Sequence, residues 1–235
     1  MIGRAHLSSW MSYVLQRRFP DALWAGRPTT PLVALTFDDG PDRQDTPQLL
    51  EVLARQQITA TFFHVGEHVE RWPDGVRAVA GAGHQLAIHG YRHRPFPLEV
   101  PASLRRQLAH TQQLLASLSE RDSAVIRDVR PPYGLSTPAT LAALTAWGYR
   151  TVMWSLVPFH WLQPAQPTIA QVTRLIRTGS VLVLHESLGG PPVAQLTDAI
   201  VIRLKAAGYQ FVSVEQMWRA HVAALESSRS RSSVR

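Results

Sequence analysis

Two adjacent carboxylates, Asp38 and Asp39, close the apolar run Leu32-Val33-Ala34-Leu35 and are followed at once by Gly40-Pro41. Successive side chains on a strand point to opposite faces. The pair therefore diverges unless the backbone bends, and Gly40 permits such a bend. Divergent carboxylates in one cleft can divide labour, one binding a cation and the other moving a proton. Standing alone, Asp-Asp-Gly is equally an acidic turn. Farther on, His89-Gly90-Tyr91-Arg92-His93 sets two imidazoles four residues apart directly after another apolar run. A helical turn or compact loop can aim both at one point, although a lone pair at this spacing is more often structural. With Asp39 the set becomes two histidines and one carboxylate, which suits zinc with an open position for water and equally other first-row divalent ions.

Two further segments carry chemistry. Arg130-Pro131-Pro132-Tyr133-Gly134 is stiff, because two prolines fix φ and remove two N–H donors. The Tyr133 amide can then be held toward a cleft, where a rigid N–H stabilises a developing oxyanion. Arg130 can pair with a cleft carboxylate, keep it ionised and orient it. Ser180-Val181-Leu182-Val183-Leu184-His185-Glu186 reads as a buried strand ending in a histidine, the residue type whose pKa suits expulsion of an amine. His185 is as easily a satisfied histidine at a barrel end.

The elements that must position these groups are an alternation of short apolar runs and helical stretches. Strands are expected at 32–38, 59–65, 85–89, 126–130, 150–156, 180–185 and 209–213, and helices at 46–56, 74–81, 101–119, 137–146, 167–177, 192–206 and 214–225. Trp147-Gly148-Tyr149 and Ala207-Gly208-Tyr209 each place a glycine where a helix ends in a left-handed cap and a β-prone run begins. About seven βα units without a Gly-x-Gly-x-x-Gly turn predict an α/β fold, a distorted or incomplete (β/α) barrel rather than a dinucleotide-binding sheet. In such a barrel chemistry gathers at the C-terminal ends of the strands. Asp38, Asp39, His89, Arg130 and His185 all fall there. His64 ends another strand and is expected to pack, whereas His68 and His84 are expected at the surface.

Composition agrees with a folded enzyme-sized chain. The 235 residues are 45% hydrophobic and 17% charged, with a formal charge of +7. No Lys/Arg-dense block with interleaved aromatics marks a nucleic-acid site, so the basic surface is read as attraction to anionic polymers. The absence of cysteine excludes disulfides and thiolate metal sites. No stretch is long and apolar enough to span a membrane, and the N-terminus lacks the unbroken apolar core of a secretory signal. By sequence this points to a cytoplasmic or membrane-peripheral protein. Leu7, Trp10, Met11, Val14 and Leu15, followed by Arg17 and Arg18, have the spacing of an amphipathic helix, which can cover one end of the domain or touch a membrane surface through 7–18. The domain reading is a lead-in over 1–29, a catalytic domain over 30–225, and a disordered Ser/Arg tail over 226–235.

Taken together, the motifs resemble those of the NodB-type polysaccharide deacetylases. Thr36-Phe37-Asp38-Asp39-Gly40-Pro41, His89 with His93, Arg130-Pro131-Pro132-Tyr133-Gly134, and the strand ending at His185 carry the resemblance, which covers roughly residues 30–220. It implies a divalent ion, zinc before cobalt or another first-row metal, on Asp39, His89 and His93. It implies Asp38 as base, Arg130 as its partner, His185 as acid, and an oxyanion contact from Tyr133. Tyr133, Trp161, Leu184 and Pro132 are the expected substrate contacts. The implied partner is an N-acetylated polysaccharide or oligosaccharide such as peptidoglycan, chitin or an exopolysaccharide, with no specific nucleic acid, and the family places such proteins in the cell envelope. Three positions depart from the pattern, one of them mildly: Val183 stands where Leu is usual. Gly90 stands where a Ser or Thr is usual, and His160 stands where a carboxylate normally tunes the acid histidine. Losing that anion should lower the pKa of His185 unless Glu186 or another group takes its place. The rivals are a small-molecule amidohydrolase on the same scaffold, a catalytically silent carbohydrate-binding homologue, and a two-histidine, one-carboxylate iron oxygenase. Retention of Asp38 and His185 weighs against the second, and the βα pattern against the third.

Overall fold

The computed structural model describes residues 22–232; the amphipathic stretch at 7–18 lies outside the described residues. Strands β1 (Leu32–Asp38), β2 (Thr61–His64), β3 (Gln85–Ile88), β4 (Asp128–Val129), β5 (Arg150–Thr151) and β6 (Val181–His185) form a parallel sheet in the order β5-β4-β3-β2-β1-β6. β7 (Gln210–Val212) pairs with the first half of β1, from Leu32 to Ala34. Helices α1 (Asp45–Arg55), α2 (Gly66–Arg71), α3 (Pro73–Gly81), α4 (Pro101–Ser119), α5 (Pro138–Ala146), α6 (Ala165–Leu175), α7 (Val193–Ala206) and α8 (Val214–Ser232) complete the βα units. The sheet curls until its two edges approach each other. Leu156 bridges to Leu182, while Leu23 bridges to Val152 and Ala25 to Ser180. The result is the distorted (β/α) barrel that the alternation predicts.

Strand alternation sorts the residues into two layers. Val33, Leu35, Phe37, Phe62, Leu86, Ile88, Leu182 and Leu184 face the helices and join the larger core cluster. Ala34, Phe63, Ala87, Val152 and Val181 face the interior, where Val214 and Met217 of α8 seal the N-terminal end. Full burial of each large side chain contributes roughly 1.5–3 kcal/mol, so the strands are held chiefly by packing. Continuing the interior face toward the C-terminal end replaces hydrocarbon by Thr36, Asp38, Arg130 and His185. One alternating pattern thus builds both the plug and the site.

The differences from expectation have local causes. β5 ends at Thr151 rather than near 156, because the carbonyls of Val152 and Met153 accept from the Arg130 guanidinium. α2 has six residues, too few to show a helical period, and ends at Trp72 with Pro73 starting α3. α8 runs to Ser232, past the point where a disordered tail was expected; extending an existing helix avoids the cost of nucleation. His84 is buried rather than exposed, its ring tilted against Phe62 at 5.5 Å between centroids. His64 packs as expected and is fully buried.

Gly148 adopts φ +88°, and a Cβ built there meets nothing within 4 Å. The cost of a side chain is therefore backbone strain alone. Gly148→Ala is expected to lower unfolding free energy by roughly 1–2 kcal/mol, without loss of activity, in urea denaturation.

Candidate active site

Arg130 is fully buried and organises the floor of the cleft. Its guanidinium donates to Asp38 Oδ1 at 2.5 Å, to Thr36 Oγ1 at 2.8 Å, and to the carbonyls of Met153 and Val152 at 2.9 and 3.3 Å. The cation also lies 4.0 Å from the centre of the Phe63 ring. A buried charge is tolerated only when paired and hydrogen-bonded. Here the planar fork meets acceptors from two strand ends at once, which a lysine cannot do. Asp38 is thereby fixed in place and kept beside a permanent positive charge.

Asp39 turns the other way. Its φ of 74° lies in the left-handed region, and its carbonyl accepts from His68 Nδ1 at 2.7 Å. The sequence places His68 at the surface; its position as the third residue of the short helix α2 gives no sign of this contact. Asp39 Oδ1 lies 3.4 Å from His89 Nε2 and 3.2 Å from His93 Nε2, and that buried oxygen has no hydrogen-bond partner. His89 donates from Nδ1 to the Arg130 carbonyl at 2.7 Å, which leaves the Nε2 lone pair facing the site. Among the described residues, Asp39, His89 and His93 form the group able to hold a metal ion, their donor atoms all within 4.8 Å of one another. Burial, reinforced by the Asp38 charge, pushes the Asp39 carboxyl up to about 7, and burial lowers both histidines. A desolvated carboxylate with an orphaned oxygen and two neutral imidazoles is the donor set of a divalent cation site, so the residues fit the metal that the motifs imply.

On the opposite wall, His185 follows Leu184 at the end of β6, with Trp161 edge-on to its ring at 4.7 Å. The His185 N–H donates to His160 Nε2 at 3.1 Å, and the two rings are 5.8 Å apart. His160 therefore carries its proton on Nδ1 and has no negative charge to offer. Burial drops His185 to about 3, with Asp38 opposing that shift and His160 adding to it. Burial likewise lowers His160 to about 4. The next residue, Glu186, is fully buried; it accepts from Thr46 Oγ1, its N–H donates to the Asp38 carbonyl at 3.0 Å, and burial raises its carboxyl to about 8. A Cβ at Gly40 would stand 2.0 Å from Glu186 Oε1, so the turn after the paired aspartates closes directly over this carboxyl. The sequence offers Glu186 as a stand-in for the missing anion, but burial holds it neutral against Thr46 and Gly40, where it supports the turn instead.

The sequence-predicted site residues thus converge, with two exceptions. Asp38, Asp39, His89, His93, Arg130 and His185 share the C-terminal mouth of the barrel. Tyr133, at φ 59° and 61% exposed, lies over His93 at 4.5 Å and can meet substrate. The backbone hydrogen bonds of its turn run from Gly134 to Pro131 and from Leu135 to Pro132. Trp161 walls the cleft. Leu184, expected to contact substrate, is fully buried in the helix-facing core, because strand alternation turns it away from His185. Pro132 is also buried, packed toward Gly90, and acts through stiffness. Gly90 itself has φ +82°, and a Cβ there would meet the Arg92 carbonyl at 3.0 Å, which accounts for glycine in place of the usual hydroxyl residue.

Residues 25–152 match the family model for polysaccharide deacetylase. The chain is 33% identical to a peptidoglycan-N-acetylglucosamine deacetylase of Bacillus cereus, over 80% of this chain and 68% of that protein. It is 36% identical to a chitooligosaccharide deacetylase of Bradyrhizobium sp., over 68% of this chain and 72% of that protein. A solved peptidoglycan N-acetylglucosamine deacetylase in complex with a naphthalenyl N-oxidanyl-benzamide superposes with a TM-score of 0.77 at 31% identity, covering 83% of this chain and 91% of the other. A pseudoenzyme from Bacillus anthracis shares the fold at 21% identity and a TM-score of 0.75, covering 83% of this chain and 67% of the other, so the fold by itself does not decide activity. By sequence match and fold, the chain belongs to the polysaccharide deacetylase family of amide hydrolases.

Proposed function

We propose that this protein removes the acetyl group from N-acetylated sugars of a polysaccharide or its oligosaccharides by metal-dependent hydrolysis of the acetamide. One observation carries the reading. An orphaned, buried Asp39 oxygen converges with two histidine Nε2 atoms beside a second carboxylate that is locked to a buried arginine. Asp39, His89 and His93 would hold a divalent cation, zinc by donor type, which supplies Lewis acidity toward water and toward the acetamide carbonyl. Asp38 is the base that takes a proton from the attacking water, and its Oδ2 lies 3.9 Å from His89 Nε2, at the edge of the metal set. Arg130 keeps that carboxylate aimed without competing for the proton. As the carbonyl carbon becomes tetrahedral, the Tyr133 amide shares the oxygen's charge in this reading. His185 protonates the departing nitrogen as the C–N bond breaks, giving acetate and a free amino sugar. Trp161 and Tyr133 offer aromatic surfaces to the sugar ring.

Acetate release from acetylated chitooligosaccharides and peptidoglycan fragments, measured after chelation and after return of zinc or cobalt, tests the reading directly; activity indifferent to chelation would refute it. Asp38→Asn should retain the cation and lose turnover by at least about a hundredfold, whereas Asp39→Asn should lose the cation itself. Calorimetry of both variants separates the two roles, and equal metal loss in both would remove the division of labour.

Cation binding needs Asp39 ionised, while its two histidines, held below their ordinary pKa, are already neutral. Affinity is therefore expected to rise with pH up to about 7 and to level off above it, with proton release on the acidic side only. Zinc titrations across pH, in two buffers of different ionisation enthalpy, check both the slope and the proton count.

With a neutral residue at 160, the alkaline limb of the rate profile should lie low, because neutral His185 cannot protonate the amine. His160→Asp puts an anion beside the imidazolium and should move that limb to higher pH. A limb that stays in place would mean that position 160 does not govern the acid.

A further inference from the structure

The candidate cation ligands come from two separate connections, Asp39 from the one after β1 and His89 with His93 from the one after β3. In the sheet β2 lies between those strands, so the segment that follows it, Val65 and helix α2, is set between the two halves of the site. Its contacts run both ways. Toward the first half, the Val65 N–H donates to the Gly40 carbonyl at 2.9 Å and His68 Nδ1 donates to the Asp39 carbonyl at 2.7 Å. Toward the second, the N–H groups of Gly66 and Glu67 donate to the carbonyls of Gly90 and Tyr91 at 3.0 and 2.9 Å. The Glu67 carboxylate accepts from Arg92 at 3.0 Å, and the Glu70 carboxylate accepts from the Tyr91 hydroxyl at 2.9 Å. The first amides of a helix have no partner within it, and α2 commits its own to the loop that carries His93. Gly66 marks how closely the helix is pressed there, since a Cβ would stand 3.0 Å from Tyr91 Cα.

On the Asp39 side, the α2 side chain that reaches across is His68. A carbonyl can only accept, so Nδ1 carries the proton, and that N–H is present whether the ring is neutral or charged. It meets Asp39 where the chain needs support. Asp39 has φ 74°, a conformation a non-glycine residue holds only where its surroundings impose it. That turn sends Oδ1 toward His89 and His93, while Asp38 faces Arg130. His68 stands outside the ligand group itself, so its bearing on a cation runs through Asp39.

We propose that His68 is a positioning residue for the cation site: by donating to the Asp39 carbonyl it holds that residue in the left-handed turn that aims Oδ1 at the two imidazoles. The inference rests on the proposed cation site and names the side chain on which its preformed shape depends. Without the contact, a cation must order the Asp39 turn as it binds, and affinity falls by that amount.

Zinc affinity of the chelator-stripped, full-length protein, measured by competition with a chromophoric chelator, tests this. Asparagine places Nδ2 as many bonds from the backbone as histidine places Nδ1, whereas leucine places a methyl group there and offers no proton. His68→Leu should bind zinc at least about tenfold more weakly than the unsubstituted protein, and His68→Asn should stay within about threefold of it. A purely space-filling role would favour leucine over asparagine or leave both alike. His68→Ala removes the donor without adding bulk and should match His68→Leu; it takes that variant's place if urea denaturation shows that His68→Leu does not fold cooperatively. Undiminished zinc affinity in the variants that lack the donor overturns the inference and leaves the cation site standing. Equal weakening in His68→Asn does the same, because a retained donor would then have failed to restore the site. Absence of zinc binding by the unsubstituted protein overturns the cation reading and this inference with it, and it is seen before any substitution is made.

Discussion

A single buried guanidinium sets the terms for the rest of the molecule. Bringing a cation into the interior costs several kcal/mol unless every donor is answered. Arg130 is answered by a carboxylate, a hydroxyl and two carbonyls drawn from β1 and from the chain beyond β5. Those demands fix where β5 must stop and how closely β1 and β4 approach. They also fix which way Asp38 faces. Because Asp38 is committed to Arg130, its neighbour is free to turn outward through a left-handed backbone, and the two carboxylates acquire different environments from adjacent positions. One carboxylate stands beside a fixed positive charge; the other is desolvated without one. Their separate chemistry follows from that difference.

Burial decides most of the remaining electrostatics. Asp39, His89, His93, His185 and Glu186 are all pushed toward their neutral forms, and in each case loss of water is the largest cause. A site assembled from neutralised groups holds little charge before it is loaded. A cation held there, as proposed, would enter a place where competing water has been displaced and where each interaction counts for more than in solution. The arginine–aspartate pair is the fixed exception that gives the cleft its polarity.

Much of this was legible in the sequence, because the informative residues sit at strand ends where type and position constrain one another. Asp38-Asp39-Gly40-Pro41, the spaced histidines, and Arg130 before two prolines each name a chemistry, and the βα period names the scaffold that gathers them. The helix-to-strand glycines at 148 and 208 located joints to within a residue or two. What escaped was set by tertiary contacts. β5 is short because its following carbonyls are borrowed by Arg130, 22 and 23 positions earlier, which no local pattern records. Leu184 looked like a cleft residue because its neighbour is one, yet alternation sends it to the core. His68 and His84 lie in polar stretches that read as surface, and only the folded chain shows one gripping the Asp39 carbonyl and the other packed beside an aromatic ring. Position 160 was legible as a substitution, while its hydrogen bond to the His185 amide required the structure.

The contact between Gly40 and Glu186 links two positions that lie far apart in the chain. With a Glu186 carboxyl oxygen occupying the space a Cβ at 40 would need, the two sites cannot both carry large residues. Their histories are therefore tied together. A lineage that gains a side chain at 40 must first shorten the one at 186, since the reverse order passes through a collision beneath the paired aspartates. Substitutions at these sites are ordered in time, and a relative bearing alanine or serine at the first should carry a small residue at the second.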